Sequence, residues 1–109
     1  MIAHIVTFRW RSEVAEEDVA ALLDDLAAFR ARVPSLLDYR YGADLGLREG
    51  TGDFAIVATV ASPEALHAYL DHPAHHELLR RRLGAMVETR LAVQIALDAP
   101  LDAPPGAPV

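Results

Sequence analysis

With 109 residues, the chain is long enough for one domain and too short for two independent hydrophobic cores. Hydrophobic residues make up 52% of the chain and charged residues 24%, which excludes an intrinsically disordered protein. The net charge of −6 argues against a nucleic-acid partner, and the absence of cysteine excludes disulfides, thiolate metal sites and cysteine nucleophiles.

The first predicted element is a strand from Met1 to Trp10, in which apolar residues alternate. The residues on one side of this strand are Ile2, His4, Val6, Phe8 and Trp10. Arg9 and Arg11 interrupt the apolar start, and no later stretch reaches the ~20 apolar residues that a membrane span needs. We therefore expect a cytoplasmic protein without a membrane partner.

An amphipathic helix is predicted from about Glu16 to Val33, where Pro34 ends it. Two strands follow this helix, from Leu36 to Leu45 and from Phe54 to Ala61. The glycine-rich segment from Gly42 to Gly52 is too long for a tight hairpin. We expect it to be a mobile connection that can cover or expose a pocket.

A second helix is predicted to begin at Pro63, since Ser62 can cap its first backbone N–H groups and proline suits its first position. Pro73 forces His72 out of helical geometry and interrupts this helix. The helix restarts after the proline and is predicted to end near Gly84.

A last strand is predicted from Val87 to Leu97, and the proline-rich residues 99–109 are predicted to form a disordered tail. The folded domain then spans residues 1–98. Its order of strand, helix, two strands, helix and strand is that of the ferredoxin-like split βαβ arrangement. The predicted fold class is therefore α+β, with a four-stranded antiparallel sheet and both helices on one face.

The sheet face without helices is also predicted to be apolar, and we assign to it Ile5, Thr7, Val57, Thr59, Ala92 and Ala96. Because two helices cover only one face, a second copy of the chain is the simplest cover for the other. The sequence therefore predicts a symmetric homodimer.

The histidines point to a candidate site. His4 lies in the first strand on the side that faces the helices. Tyr69 and His75 lie on the apolar side of the second helix, Tyr69 before the break at Pro73 and His75 after it. We expect these two imidazoles and the phenol to converge in an apolar pocket, where they can donate and accept protons near neutral pH. The residues that we expect around them are Phe8, Leu22, Leu26, His72 and Leu79.

Other uses of these residues remain open at this point. Each histidine can be a structural residue, and the tyrosines can be core aromatics. His72 and His75 are spaced so that two imidazoles come close, with His4 as a third metal ligand, but HExxH, cysteine and a facing carboxylate are absent. We predict no metal site and no cofactor. The glycine-rich segment lacks a phosphate-binding motif.

Over residues 1 to 98 the sequence resembles the stress-responsive A/B barrel (Dabb) family. The matching stretches are MIAHIVTFRW, the GADL turn, DFAIVATVAS and above all EALHAYLDHPAHHEL. This resemblance implies a dimeric α+β barrel, in which two four-stranded sheets form the barrel and the helices lie outside.

The family includes a plant polyketide cyclase of the olivetolic acid type, which carries out a cofactor-free aldol condensation. The resemblance implies that His75 is the base and that His4 and Tyr69 support it. A further tyrosine of that cyclase, on the first helix, corresponds to Leu26 here. The resemblance therefore implies a histidine that removes a proton next to a carbonyl, with a substrate different from that of the cyclase.

The sequence leaves three hypotheses. The first is a homodimeric, cofactor-independent cyclase or lyase in which His75 acts on a carbonyl-rich small molecule. The second is a non-enzymatic, stress-responsive or ligand-binding dimer in which the same residues only shape a pocket. The third is a cofactor-free oxygenase, as in related dimeric α+β barrel proteins.

Overall fold

The computed structural model describes residues 1–97 of the chain, so the predicted tail at 99–109 lies outside the described residues. A short π-helical turn, Leu79–Leu83, follows the third helix. The other elements, in chain order, are β1 (Ile2–Trp10), α1 (Glu16–Arg32), β2 (Asp38–Ala43), β3 (Phe54–Val60), α2 (Pro63–Leu70), α3 (Pro73–Leu78), α4 (Gly84–Met86) and β4 (Val87–Ala96).

The four strands form one sheet in the order β2-β3-β1-β4, and every neighbouring pair is antiparallel. β1 therefore lies in the middle of the sheet, between β3 and the edge strand β4. This arrangement confirms the predicted ferredoxin-like α+β fold. Every second side chain of β3 is buried, and the register places Val6 and Phe8 of β1 and Tyr39 of β2 on the same face. The hydrophobic core therefore lies between this face of the sheet and the helices.

The second helical region comprises α2, α3, the π-helical turn and α4, from Pro63 to Met86. Its two prolines, Pro63 and Pro73, and the residue before each of them determine where its helices begin. The Ser62 hydroxyl accepts a 3.1 Å hydrogen bond from the Ala65 N–H and caps α2. His72 has extended backbone angles (φ −63°, ψ 137°), and its Nδ1 accepts a 3.0 Å hydrogen bond from the Ala74 N–H. The imidazole of His72 thus caps α3. The sequence predicts a restart after Pro73, and in the structure α3 begins at Pro73 itself.

The end of this helical region differs from the prediction. Gly84 does not end the helix, because it has right-handed helical angles (φ −59°, ψ −29°) and the helix continues to Met86. A Cβ at position 84 would lie 2.8 Å from the Leu79 carbonyl oxygen. The wider π-helical turn brings that carbonyl close to the backbone, and glycine leaves room for it.

The register corrects the assignment of β4. Ala92 pairs with Val6 and Ala96 pairs with Ile2, so these alanines lie on the helix-covered face and the predicted open-face position was wrong. The alternation of side chains along β4 shows which residues share a side of the strand, but it does not show which side faces the helices. Only the pairing of β4 with β1 decides this. The open face instead carries three exposed apolar residues of β4: Leu91 (75% exposed), Val93 (52%) and Ile95 (45%).

The connection between β2 and β3 is held by its own hydrogen bonds. One carboxylate oxygen of Asp44 accepts from the Gly46 N–H at 3.0 Å and from the Thr51 hydroxyl at 2.9 Å. Gly46 and Gly50 have positive φ angles of 71° and 81°, which favour glycine. Within residues 1–97, no helix is both long enough and apolar enough to cross a membrane.

Candidate active site

The interior contains a cavity of about 440 Å³ between the sheet and the segment from α2 to α4. Its walls are mostly aliphatic and aromatic, and its polar groups come from different elements: His4 from β1, Tyr39 from β2, Tyr69 from α2, His75 from α3 and Arg90 from β4. A volume of this size is in the range of pockets that hold small organic molecules. No residue of the 44–53 connection lines the cavity, so that segment does not form its lid in this structure.

His4 is buried at 4% exposure in the middle of the sheet. Its Nδ1 lies 2.7 Å from the side-chain nitrogen of Gln94, its cross-strand neighbour on β4. The Gln94 amide can donate to one neutral tautomer of the ring or accept from the other, so it holds the ring in place in either case. Burial lowers the pKa of His4, and the nearby Arg90 guanidinium lowers it further, so the imidazole is neutral at pH 7.

His75 faces the same space from α3. Its ring centroid lies 5.2 Å from that of Tyr69 and 6.1 Å from that of Phe29, both in edge-on orientation. Its Nδ1 is buried and makes no hydrogen bond of standard geometry within the described residues. Burial lowers the pKa of His75 to about 4, with smaller contributions from His76, His4 and Arg90, while the Leu70 backbone acts in the opposite direction.

The tyrosines form a pair of hydroxyl groups beside the imidazoles. Burial raises the pKa of Tyr69 to about 12, and it raises that of Tyr39 as well, so both phenols stay protonated at neutral pH. The neighbouring Tyr69 hydroxyl raises the pKa of Tyr39 further and the Tyr39 hydroxyl lowers that of Tyr69, the pattern expected when Tyr39 donates to the Tyr69 oxygen. The Tyr69 ring lies 6.1 Å from that of His4, centroid to centroid.

The cavity opens where the π-helical turn meets the edge strand β4. Leu79 (39% exposed), Gly84 and Arg90 all line the cavity and are also exposed, whereas His4 and Tyr69 line it and are buried. Residues with both properties mark the mouth. The neutral polar groups therefore lie inside, and a charged side chain lies at the entrance.

The residues proposed from the sequence are partly brought together. His4, Tyr69 and His75 share the cavity, and Phe8 and Leu79 line it with them. Leu22 and Leu26 are fully buried in the core on α1, and His72 caps α3; none of these three lines the cavity. An apolar spacing on α1 identifies a buried face and does not distinguish a packed core from a pocket wall.

Three polar residues of the site were not singled out from the sequence: Tyr39, Arg90 and Gln94. A signal was present for two of them, because Arg90 and Gln94 alternate with apolar residues along β4. Polar residues on the helix-facing side of a strand are unusual in a core and point to a cavity or an opening. The fold predicted from the sequence has the even-numbered residues of β4 on the open face, where polar side chains such as Arg90 and Gln94 are ordinary, so this signal was missed.

The described residues offer little to a metal ion. No group of three histidine, aspartate or glutamate side chains within residues 1–97 lies close enough together to hold one. Nδ1 of His72, a ligand candidate from the sequence, accepts the Ala74 N–H instead.

Comparison with known proteins gives a match over almost the whole described chain. Residues 2–96 match the family model described as the stress responsive A/B barrel domain, Dabb. An uncharacterised protein of Streptomyces coelicolor is 35% identical over 78 residues, covering 69% of this chain and 79% of that protein.

Two solved structures show how far the fold is shared. A dimeric ferredoxin-like protein of unknown function from Thermobifida fusca is 41% identical, with a TM-score of 0.83 over 88% of this chain and 90% of that one. A hydroxynitrile lyase from Passiflora edulis is 20% identical, with a TM-score of 0.75 over 91% of this chain and 96% of that one. The second likeness concerns the fold alone.

Proposed function

Because the chain belongs to the stress-responsive A/B barrel domain family, we propose that it is a homodimeric, cofactor-independent enzyme that moves a proton at the carbon beside a carbonyl group. The observation that carries the proposal is the convergence of two neutral imidazoles and a phenol in one mostly apolar cavity of about 440 Å³. A carbonyl-rich small molecule, such as a polyketide, is the proposed substrate. The cytoplasmic location inferred from the sequence is part of the proposal.

His75 is the proposed base. Its ring is neutral at pH 7, and its buried Nδ1 makes no hydrogen bond of standard geometry within residues 1–97. In the proposed step the imidazole takes a proton from the carbon beside the carbonyl, the C–H electron pair forms a C=C bond, and negative charge collects on the carbonyl oxygen. Proton transfer by a positioned imidazole accelerates such steps by about 10²- to 10⁴-fold.

Tyr69 is the proposed donor to that oxygen. In the proposed arrangement the Tyr69 oxygen accepts from Tyr39, and the Tyr69 proton is directed at the ligand. The Tyr69 ring lies 5.2 Å from that of His75. A donor placed where charge develops lowers the energy of an enolate. In a cyclisation, the enolate carbon would attack a second carbonyl of the same molecule, and the proton held by His75 would pass to the new alkoxide.

Position 26 supports a substrate different from that of the plant cyclase. Leu26 is buried in the core and does not line the cavity, so the first-helix phenol implied by the family resemblance is absent. In this chain the second phenol of the cavity is Tyr39, which comes from β2 and acts through Tyr69.

The open face of the sheet supports the dimer. Leu91, Val93 and Ile95 form an exposed apolar row on β4, next to Ile5 and Thr7 of β1. A symmetric pairing of two such faces would remove this row from water. The 41% identical protein of Thermobifida fusca is described as dimeric. Sedimentation at micromolar concentration should give twice the chain mass of 11.9 kDa, and a monomer would count against the dimer.

The test uses a neutral β-keto amide, N-benzoylacetyl-glycinamide, in D₂O, with proton NMR to follow exchange at the carbon between its two carbonyls. The wild-type protein should accelerate this exchange, and His75→Ala should reduce the acceleration by about 100-fold. The matched control is His67→Ala, because His67 is an exposed histidine on α2 that does not line the cavity. Unchanged exchange in His75→Ala would overturn the assignment, and binding without exchange would indicate the non-enzymatic alternative.

A further inference from the structure

We propose that the natural ligand of the cavity carries a carboxylate and that Arg90 at the mouth binds it. The preference for an anion concerns binding alone and does not depend on the proposed reaction. Only the keto group of the ligand rests on the proposed function.

The first support is the position of Arg90. In the register, Arg90 of β4 lies opposite Phe8 of β1, so its side chain starts from the helix-covered face of the sheet. It lines the cavity and is exposed. A ligand in the cavity therefore passes or touches this guanidinium.

The second support is the lack of a protein partner. Other arginines near the helices are engaged: Arg82 pairs with Asp25 at 2.8 Å, and the Arg30 guanidinium donates to the Tyr39 carbonyl at 3.1 Å. Within residues 1–97, Arg90 makes no ion pair or side-chain hydrogen bond, and its guanidinium keeps its donors free for a ligand. Its planar fork of N–H groups matches the two oxygens of a carboxylate.

The third support is the charge of the cavity wall. No aspartate or glutamate of the described residues lines the cavity, the two histidines are neutral at pH 7, and the two tyrosines are protonated. Among residues 1–97, the only formal charge on this wall is thus the positive charge of Arg90, in a chain whose net charge is −6. An unpaired cation beside apolar walls attracts an anion more strongly than a cation in open water does.

The position of Arg90 also orients the ligand. With a carboxylate at the mouth, the rest of the molecule extends inward, and its carbonyl groups reach Tyr69 and His75 beyond the entrance. The substrate class is therefore a keto compound whose carboxylate is separated from the reacting carbon by several bonds.

The experiment compares two probes of nearly the same shape that differ at one end, where N-benzoylacetyl-glycine carries a carboxylate and N-benzoylacetyl-glycinamide a neutral amide. Calorimetric titration of the wild-type full-length protein should show about tenfold tighter binding of the acid at low salt. Arg90→Gln should abolish this preference, and Arg90→Lys should retain part of it. Arg48→Gln removes the same charge from the 44–53 connection, away from the cavity, and should leave the preference unchanged.

Two results would overturn the proposal. One is equal affinity of the wild type for both probes, including no binding of either at millimolar concentration. The other is a preference for the acid that survives in Arg90→Gln. The NMR exchange assay separates this inference from the proposed function: equal affinities with His75-dependent exchange reject only the carboxylate assignment, whereas a charge preference without exchange rejects only the enzymatic step.

Discussion

The space between the sheet and its helices has two unlike halves. Below α1, Leu22 and Leu26 are completely buried, and Phe29 is nearly so. Below α2, α3 and the π-helical turn, the same layer holds a cavity of about 440 Å³, with neutral titratable rings in its walls. The first half is filled by apolar side chains that only pack against one another. The second half is hollow, and histidine and tyrosine side chains line it.

The difference follows from the local structure of the covering helices. α1 is continuous over Glu16–Arg32 and presents an unbroken apolar side to the sheet. The second helical region is interrupted at Pro73 and widened at Leu79–Leu83. This difference predicts that the packed half contributes most of the stability and that the hollow half, which holds the proposed site, contributes less. The following substitutions test this difference between the two halves. For each variant, the free energy of unfolding is measured and compared with that of the wild type.

The largest expected effect comes from Leu26→Ala in the packed half. Leu26 is completely buried, so the substitution leaves a void and should lower the free energy of unfolding by about 3 kcal/mol. The matched control in the hollow half is Leu79→Ala, at 39% exposure beside an existing cavity, which should cost less than about 1 kcal/mol. Both are measured by urea denaturation at one protein concentration. Equal losses would remove the distinction between the halves.

A smaller effect is expected from pH, through His75. Its pKa is lowered to about 4 in the folded protein, whereas the unfolded chain has an ordinary histidine pKa of about 6.5. Between these values the unfolded state binds the extra proton, so stability falls as pH falls, by about 2 kcal/mol from pH 7.5 to pH 5 for this group. His4, whose pKa is also lowered, acts in the same direction.

The measurement compares urea denaturation at pH 7.5 and pH 5 for the wild type and His75→Leu. The variant should lose less stability than the wild type over this interval, by about 2 kcal/mol, because leucine does not titrate. His67→Leu, at an exposed position on α2 away from the cavity, is the control. If His75→Leu and the wild type kept the same pH dependence, the imidazole of His75 would not be held neutral by burial.

The smallest effect concerns Tyr39, which lies at the border of the two halves against Phe29 and Tyr69. Tyr39→Phe removes the hydroxyl group that we propose to donate to the Tyr69 oxygen, and it should lower the free energy of unfolding by about 1 kcal/mol. Tyr41→Phe, two residues along the same strand and less buried, should change stability by less than about 0.5 kcal/mol. Similar losses in the two variants would show that the pair of hydroxyl groups contributes nothing specific.

Much of the fold could be predicted because its signals are local. Alternation in β1, the apolar spacing of α1, the cap at Ser62 and the break at Pro73 each depend on residues a few positions apart. The order of these elements, strand, helix, two strands, helix and strand, then predicted the ferredoxin-like fold. The grouping of His4, Tyr69 and His75 followed from the sides of β1 and of the second helical region that these residues occupy.

The parts that could not be predicted depend on distant contacts. Whether Ala92 or Val93 faces the helices is decided by pairing between β4 and β1. Whether Leu26 lines a pocket or fills a core depends on how closely α1 lies against the sheet. Arg90, Gln94 and Tyr39 entered the site only when their strands were placed beside β1 or below α2.

The sequence by itself determined the order and the type of the elements and the apolar side of each helix, because hydrophobic periodicity, proline and capping residues act within one or two turns of the chain. The tertiary structure alone decided which side of β4 is covered, where the interior is hollow, and which polar groups share that hollow. These features arise from strand register and from the π-helical turn at Leu79–Leu83, and both are set by packing between residues far apart in the chain.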